Sequence, residues 1–356
     1  MLTCPKGLIN GPCGGLREGG ICERGEGICP WYKMAMDDDP KLVEVRLDSL
    51  FKVRDYDPKP KPPLTGLMLK LREQKRALIV EFTPRIKSLK RVTICEGLVD
   101  AISVTDNPMA SIAPSPIAFI ARAKENVSCD FILHLSCRGK DRDSLISAMM
   151  GAWMVGARYI LAVTGDLSQT PSFFDLDSTR LIYLARLVSD RGLDYMGREL
   201  RERPSFHVGG ALNPNMRPIK VELMRALRKV RAGAEFLVLQ PVYDASQIKD
   251  LAKGLRRLNV NVPLIVGLAV ASNPFLLREL KRASVRVPES LYNRVLRAYK
   301  AEGGRGAIEE GLKDVLKLME DLSALDGSGI SGFYVTTLGK LKYLPYILKE
   351  VKGVLK

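Results

Sequence analysis

Two carboxylates in this sequence could supply acid or base chemistry, because each lies at or just beyond the end of an apolar run. Glu81 follows Leu78-Ile-Val within the run 78–82. A carboxyl group placed there loses part of its hydration, so its pKa is expected to rise. A raised pKa keeps a carboxyl protonated near neutral pH, as a general acid requires. The alternative is a structural Glu81 in an ion pair with a Lys or Arg of a neighbouring strand.

Three other polar residues interrupt or follow apolar runs. Asp166 comes after Gly165, beyond the run 159–163, where it either takes part in chemistry or caps the next helix. His134 is one of two histidines, and a single histidine within a strand is more often a hydrogen-bonded core residue. Gln240 follows the run 236–239 and either binds a ligand or satisfies a backbone group. None of the three defines a site alone.

The cysteines are concentrated at the start of the chain. Four of the seven lie within the first 29 residues, separated by eight, eight and six residues: Cys4, Cys13, Cys22 and Cys29. This spacing is neither the paired C-x-x-C of a zinc ribbon nor a ferredoxin run. A glycine-rich stretch of about 50 residues can build only a small hydrophobic core, so a bound metal would be an effective way to stabilise its fold. Cys95, Cys129 and Cys137 are scattered and are interpreted as packing residues.

The elements that must position these residues alternate along the chain. Runs rich in Val and Ile predict strands at 78–82, 101–105, 131–135, 159–163, 206–210, 236–239, 264–268 and 332–336. Between them, apolar residues recur every three or four positions, which predicts helices at 144–156, 179–191, 220–232 and 308–325. Continuous apolar strands that alternate with helices indicate a parallel sheet buried on both faces.

Eight such units in roughly 290 residues predict an α/β fold, a (β/α)8 TIM barrel, with a doubly wound open sheet as the alternative. In this barrel the active site forms at the carboxyl ends of the strands, where the polar residues above fall. Prolines at 58, 60, 62 and 63 predict a stiff linker. We therefore divide the chain into a small cysteine-rich metal-binding module (1–54), a linker (55–66) and the barrel (67–356).

The composition limits the classes of function. The 356 residues are 46% apolar and 27% charged, as in a soluble globular protein, which excludes a disordered chain. No apolar run is long enough to span a bilayer and no secretory signal is recognisable, so a cytoplasmic protein is predicted. The net charge of +15 favours anionic ligands. Acidic and basic residues are nevertheless interleaved, as in 309–314, and no nucleic-acid-binding motif is present.

Taken together, the polar positions resemble those of the methylenetetrahydrofolate reductase family. The resemblance spans residues 75–345 and follows the family's order. The matching motifs are Glu81, Thr105, His134-Leu-Ser-Cys137, Gly165-Asp166, Lys229-Val-Arg-Ala-Gly-Ala234, Gln240 and Phe333-Tyr-Val-Thr-Thr-Leu. Members of this family are flavoprotein barrels that reduce a folate-bound methylene group to a methyl group. The resemblance therefore implies FMN-dependent reduction of 5,10-methylenetetrahydrofolate or a related C1-carrying pterin.

The resemblance also implies roles for individual residues. Glu81 would protonate the folate so that its five-membered ring opens, Asp166 would lie beside the flavin and touch the pterin, and Gln240 would hydrogen-bond the pterin. Lys340 falls where the family places a basic residue near the folate. Thr164 stands where the family commonly has an arginine. The positions that match FMN contacts are Thr105, His134, Gly165, Asp166, Ala211 and Lys229, with FAD as the alternative flavin.

The cysteine-rich module resembles a small domain that accompanies such reductases in acetogens and related anaerobes. The resemblance rests on Cys4-Pro-Lys-Gly-Leu-Ile-Asn-Gly-Pro-Cys13 and on Gly20-Ile-Cys22-Glu. It implies a metal bound by Cys4, Cys13, Cys22 and Cys29. An iron–sulfur cluster is favoured over zinc, because a one-electron centre beside a flavin gives electrons an entry route.

The expected electron donor is NAD(P)H or a ferredoxin-like protein, and a homo-oligomer or an electron-transfer partner subunit is also expected. Two alternative functions stay open. One is a flavin-containing electron-transfer or assembly subunit that is active only with a partner, and the other is a barrel that acts on another pterin.

Overall fold

The computed structural model describes residues 4–25, 27–40, 43–63, 65–167, 172–325 and 329–355. Its eight barrel strands coincide with the eight apolar runs to within two residues at each end. They are β1 (Ala77–Phe82), β2 (Ala101–Val104), β3 (Asp130–Ser136), β4 (Tyr159–Val163), β5 (His207–Leu212), β6 (Phe236–Leu239), β7 (Leu264–Ala269) and β8 (Ile330–Thr336). All neighbouring strands pair in parallel, and β8 pairs with β1 to close the barrel. The predicted barrel is confirmed, and the open doubly wound alternative is wrong.

The described helices are α1 (Pro30–Asp37), α2 (Gly66–Arg72), α3 (Ile86–Leu89), α4 (Pro116–Ala123), α5 (Arg142–Met154), α6 (Ser178–Arg191), α7 (Ile219–Arg231), α8 (Ala245–Arg257), α9 (Pro274–Arg282), α10 (Glu289–Ser323) and α11 (Leu344–Val354). The helix predicted at 308–325 is the second part of α10, which begins at Glu289 and is interrupted at Gly303, where φ is 63°. Within the described residues, no helix is both long and apolar enough to cross a bilayer.

Side chains at the starts of the helices explain why several begin where they do. Asp141, Asp177, Asp244 and Asn273 are the N-cap residues of α5, α6, α8 and α9, and each accepts a hydrogen bond from a backbone N–H of the first turn. These bonds satisfy donors that have no partner within the helix. The capping side chains therefore explain where α5, α6, α8 and α9 begin.

The interior of the barrel is a separate apolar core. Large side chains on alternate positions of the strands fill it, among them Ile79, Tyr159 and Phe236. Leu67 and Met68 of α2 belong to the same core, and the hydroxyl of Tyr159 accepts a hydrogen bond from the backbone N–H of Met68 at 2.8 Å. Because Tyr159 begins β4, α2 closes the amino-terminal end of the barrel. The carboxyl ends of the strands are the end left for a ligand.

The residues before the barrel pack against it. Trp31 and Leu16 form an apolar cluster with Met216 and Val221, which lie beyond β5 and in α7. Farther along, Asp48 accepts hydrogen bonds from Arg142 at 2.8 Å and also pairs with Arg180. The chain before the barrel is thus held to it by apolar contacts and by charge. The division of the chain at 55–66 stays a prediction.

Candidate active site

A cleft of about 540 Å³ lies at the carboxyl ends of the strands. Eight of the nine barrel residues predicted to bind or react line it: Glu81, Thr105, His134, Gly165, Asp166, Ala211, Lys229 and Gln240. The ninth, Lys340, is exposed beyond β8 and is not among the described residues that line the cleft. The fold thus brings together residues that are up to 159 positions apart in the sequence.

Glu81 is held in the cleft by two hydroxyl donors of β8. The hydroxyl of Thr336 donates to Oε1 at 2.7 Å, and that of Tyr334 donates to Oε2 at 2.9 Å. Burial raises the pKa of Glu81, and the two hydrogen bonds oppose this shift only in part. Among the described residues, no Lys or Arg forms an ion pair with Glu81. The ion-pair alternative is therefore wrong, and the carboxyl group is set up to hold a proton.

The hydroxyl of Tyr334 also connects Glu81 to a histidine. Nε2 of His134 lies 3.2 Å from this hydroxyl and 2.8 Å from Oγ of Ser103. Burial lowers the pKa of His134 to about 4, so its imidazole is neutral near neutral pH. His134 is hydrogen-bonded, as the structural interpretation expects, and it also lines the cleft. Hydrogen bonds therefore connect Glu81 of β1, through Tyr334 of β8 and His134 of β3, to Ser103 of β2.

Asp166 is fixed by a loop instead of a helix. Its Oδ2 accepts a hydrogen bond from the backbone N–H of Met109 at 2.7 Å, in the segment that follows β2. The N-cap residue of α6 is Asp177, so Asp166 does not cap the next helix. The neighbouring Gly165 has a φ of 90°, and a Cβ there would lie 2.3 Å from Oγ of Ser136. Only glycine fits at this position, which brings the backbone close to the cleft.

Two further polar residues of the cleft are Gln240, which directly follows β6, and Lys229 of α7. Oε1 of Gln240 is buried and has no hydrogen-bond partner within the described residues, so it does not satisfy a backbone group there. The ammonium of Lys229 donates to the carbonyl of Ala211. Burial, reinforced by the charge of Arg225, lowers the pKa of Lys229 to about 7. A buried acceptor without a partner is costly, and a ligand in the cleft would relieve that cost.

One group of cleft residues was not predicted from the sequence, and it comes from the segment before the barrel. The ammonium of Lys6 donates to the carbonyl of Gly165 at 2.8 Å and pairs with Glu23 at 2.6 Å. Burial opposes its charge, but Cys13 and Glu23 hold the pKa of Lys6 above its usual value. A cation therefore stands beside Gly165, next to Thr164. The roles of Tyr334 and Thr336 were also missed, although their alternate spacing in β8 places them on one face.

The four amino-terminal cysteines, Cys4, Cys13, Cys22 and Cys29, line one small cavity beside Trp31. The Sγ of Cys13 lies 3.3 Å from Oε1 of Glu23, to which it donates a hydrogen bond. In the described parts of the chain, however, no three His, Cys, Asp or Glu side chains are placed so that they could hold a metal ion. The cysteines share a cavity without forming a ready coordination site, and the metal stays a prediction.

Comparisons with known proteins match both the barrel and the segment before it. Residues 79–352 match the family model described as methylenetetrahydrofolate reductase, and residues 1–57 match one described as methylene-tetrahydrofolate reductase C terminal. A Salmonella typhimurium protein named 5,10-methylenetetrahydrofolate reductase is 24% identical over 258 residues, which are 71% of this chain and 80% of that protein.

Two other relatives are matched over smaller parts. A Caenorhabditis elegans protein named probable methylenetetrahydrofolate reductase (NADPH) is 23% identical over 163 residues, which are 46% of this chain and 24% of that protein. A Pectobacterium carotovorum 5,10-methylenetetrahydrofolate reductase is 23% identical over 188 residues, or 52% of this chain and 59% of that protein. The chain thus spans less than two thirds of the length of these two relatives.

Proposed function

The chain belongs to the methylenetetrahydrofolate reductase family, and from this premise we propose that it is an oxidoreductase that reduces 5,10-methylenetetrahydrofolate, or a related C1-carrying pterin, to the 5-methyl form. The observation that carries the proposal is the cleft itself. One buried carboxyl group with a raised pKa, a second carboxylate and an unpartnered amide oxygen line the same space: Glu81, Asp166 and Gln240.

The cleft residues suit a flavin, for which FMN is proposed and FAD is the alternative. Gly165 lets the backbone approach a flat ring, because no Cβ fits there. Lys229 lines the cleft and would offer positive charge to a phosphate group, together with Arg225, which also pairs with Glu222 at 2.6 Å. The remaining positions proposed for flavin contact are Thr105, His134, Asp166 and Ala211. When bound, the flavin supplies the hydride for the reaction.

The role proposed for Glu81 follows from its protonation state. Burial raises the pKa of Glu81 and so favours its protonated form, and as the general acid it gives this proton to a nitrogen of the substrate's five-membered ring. As that nitrogen takes the proton, its bond to the methylene carbon breaks and the carbon becomes an iminium carbon. Hydride then converts this carbon to a methyl group. Thr336 and Tyr334 hold the carboxyl oxygens in place during the transfer.

Asp166 and Gln240 would orient the pterin. Asp166 keeps one oxygen on the backbone N–H of Met109, which fixes the side chain while its other oxygen is left for a ring N–H. Oε1 of Gln240, without a partner in the described protein, would accept from another ring N–H. A pterin offers several such donors along one edge, so two fixed acceptors are enough to set its orientation.

A metal centre at Cys4, Cys13, Cys22 and Cys29 is a separate part of this proposal. The shared cavity supports it, whereas the lack of a ready coordination site in the described residues does not, so no step is assigned to it. An iron–sulfur cluster is proposed and structural zinc is the alternative. Metal analysis of the anaerobically purified protein decides between them, and a protein with neither metal overturns this part.

The proposed activity is tested with the purified chain, the chemically reduced flavin and 5,10-methylenetetrahydrofolate under anaerobic conditions. The expected product is the 5-methyl compound, measured by chromatography. The Glu81→Gln variant is the control for enzyme-dependent turnover. Product formed only after another subunit is added would favour the electron-transfer subunit, and product from a different pterin alone would favour the other alternative.

A further inference from the structure

Two segments that follow the first and the last strand of the barrel carry seven cationic residues and no acidic one. Residues 83–95, directly after β1, hold four of the cations, and residues 337–349, directly after β8, hold three. One of the seven, Lys340, falls where the family resemblance places a residue near the folate. We call the other six the basic rim: Arg85, Lys87, Lys90, Arg91, Lys342 and Lys349.

The two segments of the basic rim adjoin, because β8 pairs with β1. The guanidinium of Arg91 in the first segment donates to the carbonyl of Leu341 in the second at 3.3 Å. Closer to the strands, a Cβ on Gly339 would lie 3.8 Å from Oγ1 of Thr83. Thr83 is two residues beyond Glu81, which lines the cleft. The basic rim therefore lies beside the cleft, at the carboxyl ends of β1 and β8.

The cations of the basic rim have no counter-charge within the described residues. All six are exposed, and none of them forms an ion pair there. Other surface cations pair with an acidic neighbour, as Arg305 does with Glu309 in α10. The acidic residues that flank the two segments are Glu96, whose carboxylate accepts hydrogen bonds from Ser128, and the half-buried Glu350. Unpaired positive charge at the edge of a cleft attracts an acidic partner and speeds its approach.

Exposed apolar side chains lie among these cations. Ile86 is 76% exposed between Arg85 and Lys87, and Tyr346 is 42% exposed one turn before Lys349. A protein interface combines apolar contact with charge, and tyrosine is enriched in such interfaces. Binding of single-stranded nucleic acid uses a series of aromatic rings for stacking, whereas Tyr346 is the one exposed aromatic residue of these two segments. The surface therefore fits an acidic protein better than a nucleic acid.

The place of the basic rim indicates what an acidic protein would do there. Conversion of a methylene group to a methyl group takes up two electrons and two protons, so electrons have to reach the cleft from a donor. A protein seated on the rim lies beside the strand that carries Glu81. Because the reaction takes electrons and no other group from the donor, the partner needs only a redox centre close to its acidic surface.

We propose that the basic rim is the docking surface of an acidic one-electron carrier protein. This inference rests on the proposed function, because it takes the cleft to be the place where the substrate is reduced. Two reduced carrier molecules are each oxidised by one electron for every methylene group that is reduced. Of the two protons taken up, one comes from Glu81 and the other from solvent. The rim attracts the carrier through its charge, so salt should weaken the complex.

The first test measures binding and needs no turnover. The probe is an acidic ferredoxin with two 4Fe–4S clusters, titrated by calorimetry at ionic strengths of about 0.01 M and about 0.15 M. We expect the wild-type protein to bind it at least about tenfold more weakly at the higher ionic strength. The triple variant Lys87→Glu, Lys90→Glu, Lys349→Glu should bind it at least about tenfold more weakly than the wild type at the lower one.

A second triple variant with the same net charge is the matched control. Lys249→Glu, Lys253→Glu and Arg257→Glu change exposed residues of α8, which follows β6 and lies away from the rim. None of the three lines the cleft. This variant should keep the wild-type affinity, and circular dichroism checks that both variants are folded. An equal loss of affinity in both variants would show that net charge alone matters and would overturn the inference.

The second test measures how fast the flavin-loaded protein is reduced. Reduction by the ferredoxin should be at least about tenfold slower in the rim variant than in the wild type and the control. Reduction by photoreduced 5-deazaflavin, a small donor that needs no docking surface, should be the same in all three proteins. Equal rates with the ferredoxin in all three would contradict a role for the rim.

The remaining outcomes separate this inference from the proposed function. A wild-type protein that does not bind the ferredoxin overturns the inference, and so does an oligonucleotide that binds more tightly than the ferredoxin and depends on the same lysines. Ferredoxin that binds at the rim of a protein that reduces no methylenetetrahydrofolate contradicts the proposed function and leaves the docking surface standing.

Discussion

The hydroxyl of Tyr334 donates a hydrogen bond to Oε2 of Glu81 at 2.9 Å, although the two residues are 253 positions apart. They meet because β8 closes the barrel against β1, where Ile79 pairs with Tyr334. The contact has opposing consequences for the acid. Burial raises the pKa of Glu81, and donation by Tyr334 favours the charged form. The balance between these two effects makes the protonation state of Glu81 sensitive to the tyrosine.

Replacing Glu81 should slow the reduction of the folate without slowing the reduction of the flavin. Glu81→Gln is expected to lower methylene reduction by at least about a hundredfold, the scale of general acid catalysis. In the wild type the single-turnover rate should fall as the pH rises through the raised pKa of Glu81, because the protonated form is the reactive one. The variant should lack this fall. Reduction of the flavin by an external donor should stay close to the wild-type rate, and wild-type turnover of folate would remove Glu81 from the mechanism.

Removing the tyrosine hydroxyl should shift the same pH profile. Tyr334→Phe deletes a donor that lowers the pKa of Glu81, so the fall in rate should move to higher pH by about half to one unit. Thr336→Val removes the donor to the other oxygen and should move the profile in the same direction. A profile that moves to lower pH in both variants would contradict the assigned hydrogen bonds. Circular dichroism of both variants checks that the barrel is intact.

Glycine at position 165 should be required for both stability and activity. Gly165→Ala places a Cβ 2.3 Å from Oγ of Ser136 in a backbone with a φ of 90°. We expect a loss of about 1–3 kcal/mol in the free energy of unfolding, with weaker flavin binding. Gly353→Ala is the control, because nothing lies within 4 Å of the added Cβ in α11. That variant should be neutral or stabilised by up to about 1 kcal/mol in denaturant titrations.

The affinity for FMN should depend on the charge of Lys229. Its pKa of about 7 means that the ammonium is mostly charged at pH 6 and mostly neutral at pH 8. If this charge contacts the phosphate, affinity should fall by about tenfold across that interval. The phosphate of FMN gains negative charge as the pH rises past about 6, which should increase the affinity. The Lys229→Met variant lacks the lysine and therefore measures the effect of phosphate ionisation alone. Equal pH dependence of the dissociation constant in both proteins would place the phosphate elsewhere.

Loss of Lys6 should release the segment before the barrel from the cleft. Lys6→Met removes the hydrogen bond to Gly165 and leaves Glu23 without its cation. We expect faster proteolysis of that segment and about tenfold slower turnover, from the loss of ~1–3 kcal/mol of local stability. Lys33→Met, at an exposed position of α1, is the control and should change neither measurement. Unchanged proteolysis of the Lys6 variant would show that the apolar cluster at Trp31 holds the segment by itself.

The barrel and most of the cleft residues could be predicted from the pattern of amino acids along the chain. Eight apolar runs specified the strands, because a strand buried on both faces needs an unbroken apolar segment. Glu81 and Gln240 were found because parallel strands bring their carboxyl ends together. The tertiary structure alone decided that Lys6 reaches Gly165 and that Tyr334 reaches Glu81. It also decided that Asn213 and Arg217 line one cavity together with residues of two other segments. Contacts between segments so far apart in the chain leave no local pattern, because they depend on how whole elements pack and not on the periodicity within any one of them.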